Sequence, residues 1–112
     1  MRVTSALWVS AYIRRCYVEG LAAVVMRRGS EEAGAIMVVV DRLDGTSDLY
    51  APAPQSAFGE GADDRLFQRL LTQADAPAIS TRLEREKQFD PDLWLVAVEA
   101  PDGRSLLDTV KE

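Results

Sequence analysis

The sequence predicts an α+β domain: one mixed, largely antiparallel sheet of four or five strands carrying two packed helices, in the order α-β-β-β-(β)-α-β. Three observations lead there. Apolar residues recur at helical spacing in two segments far apart in the chain. Short Val-rich runs lie between and after them, at strand length. An Asp-Gly pair joins two of those runs, which implies an antiparallel hairpin, and the last run follows a helix, a step that permits parallel pairing. With 112 residues, 47% hydrophobic and 28% charged, the chain is a single globular domain spanning 1–112.

The first helix is read from SALWVSAYIRRCYVEG. Ser5 is placed as its cap, Trp8, Tyr12 and Cys16 form one row, and Val9, Ile13 and Tyr17 form the next. Gly20 stands where a left-handed C-terminal cap belongs. Leu21–Arg28 and Ala35–Arg42 read as strands buried on both faces, separated by the loop GSEEAG. Asp44–Gly45 predicts a tight hairpin turn, since both residues tolerate positive φ, returning the chain as Ser47–Ala51.

A long loop follows over 52–64, stiffened at Pro52 and Pro54 and loosened at Gly59 and Gly61. Arg65–Leu71 fits a helix or a strand equally, because so short a run has no decisive period. Pro77–Phe89 is the second helix, with Pro77 in the first turn and Ile79 and Leu83 facing inward. Leu93–Ala100 is the last buried strand, stopped by Pro101-Asp-Gly. The polar segment 101–112 is expected to be loosely held.

Four segments, LWVSAYIRR, RRGSEEAGAIMV, YAPAPQ and REKQFDPDLW, resemble in order and spacing the family of small bacterial proteins known as domain of unknown function DUF1491. The likeness spans nearly the whole chain. It implies no activity, since none is established for the family, and it brings no catalytic or binding residue with it.

The inventory of reactive groups excludes several chemistries. There is no histidine, which removes Ser-His-Asp and Cys-His catalysis and the commonest transition-metal ligand. One cysteine, Cys16, can form neither an internal disulfide nor a zinc site. No Walker loop or dinucleotide fingerprint occurs, so no cofactor is expected. The net charge is −5, but the first 42 residues carry six arginines against four acids. Such an acidic total disfavours general nucleic-acid and membrane-surface binding. MRVTSALWVSAYIRRC lacks the unbroken apolar stretch of a secretory signal, and no apolar run approaches the roughly 20 residues that span a bilayer, so a cytoplasmic location is expected.

Four features remain as candidates. RRGSEE offers an anion site through Arg27, Arg28, Ser30 and Glu32, weighed against a plain charged turn. The acids Glu31, Glu32, Asp41, Asp44 and Asp48 read as solubilising and turn residues, so no metal site is assigned. The element order also matches a restriction-endonuclease-like core, but the acid–any–lysine triplet is missing: Arg85 precedes Lys87 by two, and Thr109 precedes Lys111. FDPDLW reads as a helix-to-strand joint in which Pro91 turns Asp90 out of helical angles and Phe89 buries against the sheet.

These readings converge on a non-catalytic protein-interaction or homodimerising module. Its candidate interface residues are Trp8, Tyr12, Arg14, Arg15, Tyr17, Asp90, Asp92 and Trp94, chosen because aromatic and arginine side chains dominate interfaces. The alternatives are a binder of small anions or nucleic acid through the N-terminal arginines and, more remotely, a Mg²⁺-dependent hydrolase.

Overall fold

A computed structural model of the chain describes residues 3–54 and 65–110. In chain order the elements are α1 (Ser5–Val18), β1 (Ala22–Arg27), β2 (Ile36–Asp41), β3 (Ser47–Pro52), β4 (Phe67–Ala74), α2 (Ala76–Phe89) and β5 (Trp94–Glu99). The ambiguous segment is a strand, β4, and the fold is the α-β-β-β-β-α-β arrangement with a five-stranded mixed sheet. Most of the loop expected at 52–64, including Gly59 and Gly61, lies outside the described residues.

The sheet order is β1-β5-β2-β3-β4. β5 enters between β1 and β2, antiparallel to the first and parallel to the second. Side chains alternate across the sheet. One face, with Val38, Val40, Trp94, Val96 and Val98, packs under α1 through Val9, Tyr12 and Cys16. The other, with Met37, Leu49 and Leu95, packs under α2 through Ile79 and Leu83.

Helix ends follow side-chain chemistry. The cap of α1 is Thr4 rather than Ser5: the Thr4 hydroxyl accepts from the Leu7 amide at 3.2 Å. Ser5 is the first helical residue, fully buried, and its hydroxyl donates to the Gly34 carbonyl at 2.6 Å. At the other end Gly20 has φ +81°, the Leu21 amide donates to Cys16 and the Gly20 amide to Tyr17. That is the Schellman pattern, completed by Leu21 and Cys16 sharing the core. Asp75 caps α2 by accepting from Ala78 at 2.9 Å.

Three further expectations are corrected. The hairpin between β2 and β3 closes at Asp41 and Ser47, so its loop is wider than two residues and the positive φ values fall at Leu43 and Gly45, not Asp44. Phe89 is 81% exposed. At about 100° per residue it lies about 80° from Ile79 and 120° from Leu83, off the inward stripe. β1 is buried on one face only, because α2 packs over β3 and β4 and leaves Ala22, Val24 and Met26 exposed. Within residues 105–110, Ser105 accepts from the Tyr12 hydroxyl at 2.6 Å, and Thr109 bridges to Phe67 of β4.

Candidate interaction surface

The loop 28–34 and the joint 89–94, far apart in the chain, meet in the structure. Arg27 donates from one guanidinium nitrogen to the Leu93 carbonyl at 2.6 Å and from another to Pro91 at 2.7 Å. The Ser30 amide donates to the Asp92 carbonyl at 2.9 Å, and the Trp94 indole donates to Ser30 at 2.7 Å. Gly29 is required by proximity: a Cβ there would sit 2.6 Å from the Leu93 carbonyl carbon and 2.7 Å from the Trp94 ring. The carbonyls of Glu31 and Glu32 then accept from the Ala6 and Ser5 amides, satisfying the first turn of α1. This junction ties α1, the loop and the start of β5 together.

An internally bonded arginine is a poor anion trap. Arg27 spends its donors on backbone carbonyls, while Arg28 pairs with Glu31 at 3.3 Å and lies 5.0 Å from the centre of the Trp94 ring. Ser30 is held at both its amide and its carbonyl, and Glu32 acts through its carbonyl. In the joint, Asp90 closes an Asx turn by accepting from the Asp92 amide at 3.0 Å, and the Asp92 side chain is exposed. The four ligand candidates therefore come together, with structural partners already in place.

The aromatic candidates divide. Trp94 is 1% exposed and Tyr12 is buried, so neither presents a ring to a partner. Trp8 stacks on Tyr12 at 5.0 Å and tilts against Phe67 at 5.4 Å. Burial pushes the Tyr12 phenol and the Cys16 thiol above their ordinary values. Tyr17 is 62% exposed at the end of α1, its hydroxyl donating to Ala23 at 3.1 Å. Arg14 and Arg15 project from the outer side of the same helix. Trp8, Tyr12 and Arg15 line one small pocket beside Arg65 and Leu107, but the eight interface candidates together form no single patch.

The acids are equally dispersed. Asp48 is fully buried and binds Arg42 through both oxygens, at 2.7 and 3.2 Å, while accepting from the Gln73 amide at 2.7 Å. Asp44 accepts from the Thr46 hydroxyl and amide, which hold its carboxyl below the usual range. Among the described residues no three His, Cys, Asp or Glu side chains are grouped to hold a metal ion. No described helix is long and apolar enough to cross a membrane.

One apolar surface was not anticipated. α2 packs against β3 and β4 and reaches Leu95, so the same face is uncovered over β1 and the Ala97–Glu99 end of β5. There Val24 is 54% and Met26 63% exposed, and with Ala22, Ala97 and Tyr17 they line a shallow depression edged by Asp41 and Glu99. Composition gave no signal for it, because Leu21–Arg28 has the same apolar character as the fully covered strands.

The family model for "Protein of unknown function (DUF1491)" matches residues 3–108. The chain belongs to the DUF1491 family. Two solved relatives share its fold over essentially their full lengths. The solution structure of protein Atu0922 from A. tumefaciens is 41% identical, with a TM-score of 0.85 over 100% of this chain and 98% of that one. The crystal structure of a DUF1491 family protein from Caulobacter crescentus CB15 is 32% identical, with a TM-score of 0.78 over 99% and 100%. A comparison with curated proteins gives no match. Three of the four segments that carry the DUF1491 resemblance meet around the junction: α1, the RRGSEEAG loop and the FDPDLW joint. Their contacts are those of a framework.

Proposed function

We propose that this DUF1491 protein is a non-catalytic interaction module that uses the uncovered half of its sheet, over β1 and β5. The observation that carries this reading is the exposure of Val24 and Met26 beside Ala22 and Ala97 on a face whose other half is covered by α2. A small domain stabilises itself by covering apolar sheet, and a contiguous exposed remainder marks a contact surface. The reactive side chains support the same reading: the buried acid is neutralised by Arg42, and the loop arginine Arg27 is occupied by backbone carbonyls.

Native mass spectrometry on protein purified gently from its own host tests the proposal. A complex containing more than one chain, lost on substituting Val24→Lys, is the expected result. A strictly monomeric protein with no bound partner overturns it.

A further inference from the structure

The uncovered part of the sheet carries a charge pattern as well as an apolar one. β2 and β5 run parallel with Asp41 set beside Glu99, and Ala22 of β1 pairs with Glu99 on its other side. These three form one row across the sheet, and Val24, Ala97 and Val39 form the next row on the same face. Like charges placed opposite each other on neighbouring strands are destabilising. Here the chain supplies no cation to relieve them. Among the described residues Glu99 makes no ion pair, and Asp41 accepts only from the Leu43 amide, at 2.8 Å. Arg42, next in the chain, is engaged by Asp48.

The backbone narrows the shape of the occupant. An added strand would need the free edge of β1, but the Ala23 carbonyl already accepts from the Tyr17 hydroxyl at 3.1 Å. The register also shifts between Val25 and Arg27. The occupant therefore lies on the face, not along the edge. α2 already lies on that face over β3 and β4. The strands beyond it add about 5 Å each, which takes one more helix at an interaxial spacing of about 8–10 Å. From Ala22 to Met26 the depression runs about 13 Å, the length of roughly nine helical residues. Ala22 and Ala97 are small, so a helix can approach closely between α2 and the side chains of Val24 and Met26.

We propose that this depression receives an amphipathic helix of a partner protein, with an apolar stripe for Val24, Met26 and Ala97 and a lysine or arginine for Asp41 and Glu99. This rests on the interaction-module reading and names the chemistry of the partner. The incoming helix completes the layer that α2 begins, and its cation relieves the repulsion between the two acids. Tyr17 stands at the rim of the contact.

Photo-crosslinking in the host tests the inference, with p-benzoylphenylalanine placed in the full chain instead of Met26 and, separately, instead of Tyr17. Tandem mass spectrometry then reads the sequence of the crosslinked segment. The expected result is one segment of another protein, the same from both positions, with apolar residues at i, i+3 or i+4 and i+7 and a basic residue beside them. A synthetic peptide of that segment gives Kd by fluorescence anisotropy. Glu99→Lys should weaken its binding at least about tenfold, because it sets like charges together across the contact. In the free protein the same change pairs Lys with Asp41, so the melting temperature should stay level or rise, which separates lost binding from lost fold. A crosslinked segment that is acidic or lacks the helical spacing, a crosslink to a second copy of this chain, or a Kd indifferent to Glu99→Lys overturns the inference and leaves the interaction-module reading intact. No crosslink from either position overturns both.

Discussion

The indole of Trp94 donates to the carbonyl of Ser30 across 2.7 Å, tying the first residue of β5 to a loop 64 positions earlier. The ring also lies beneath Arg28 and beside Gly29. The first prediction follows from that crowding. Gly29→Ala sets a methyl group into the backbone of Asp92 and Leu93, neither of which can rotate away. It should destabilise the fold by about 3 kcal/mol or more, within the range of severe overpacking. Gly45→Ala, with nothing within 4 Å, meets only the conformational penalty of φ +89°, about 1–2 kcal/mol. Urea unfolding of the two variants side by side measures the contrast.

Asp48 serves Arg42 and Gln73 together, and Gln73 is held at φ +47°. Asp48→Ala strands a largely buried guanidinium and releases the Gln73 amide, and should lower stability by about 3–5 kcal/mol. Asp48→Asn keeps an acceptor for Gln73 and should be milder. Arg42→Lys keeps the charge but loses the two-pronged geometry, and should also fall between wild type and Asp48→Ala. Urea midpoints of the three variants give the order.

The caps of α1 separate two neighbouring hydroxyls. Thr4→Ala removes an exposed cap and should cost about 1 kcal/mol. Ser5→Ala leaves the Gly34 carbonyl without its hydroxyl donor in a buried site, and should cost about 1–3 kcal/mol. Thermal unfolding should rank Ser5→Ala as the more damaging change while still showing a loss for Thr4→Ala, which a cap at Ser5 would leave without effect.

Alkaline pH probes the aromatic core. Burial raises the Tyr12 phenol above its ordinary value of 10.0 and the Cys16 thiol above 9.0. As pH climbs, the unfolded chain therefore loses these protons first and binds fewer than the folded one, so stability falls with rising pH. It should be fully present below about pH 9 and decline above it, more steeply past 10. Tyr12→Phe should start lower by about 0.5–1.5 kcal/mol, from the lost bond to Ser105, yet lose less between pH 9 and 11. Urea midpoints across that range decide it.

The parts of the fold that are legible in the sequence are those whose cause is local. Gly20 ends α1 through its own φ, Pro77 opens α2, and the β-length apolar runs give four of the five strands. What could not be read depends on distant partners. Gly29 looks like a turn glycine, but its cause is the backbone of Asp92 and Leu93. Trp94 looks like an interface anchor, but the strand's alternation turns it under α1. β4 became decidable only through its pairing with β3. The candidate surface was least legible of all, since the exposure of Val24 and Met26 depends on where α2 stops.

The position of β5 between β1 and β2 has a consequence for how the molecule comes into being. A ribosome releases the chain from its N-terminus, yet β5, an interior strand flanked on both sides, is the last to emerge. Until residues 94–99 are free, β1 has no neighbour and the Val-rich β2 has one edge bare. The nascent protein must wait, with α1 and β1 unanchored, for a single late insertion to complete both halves at once.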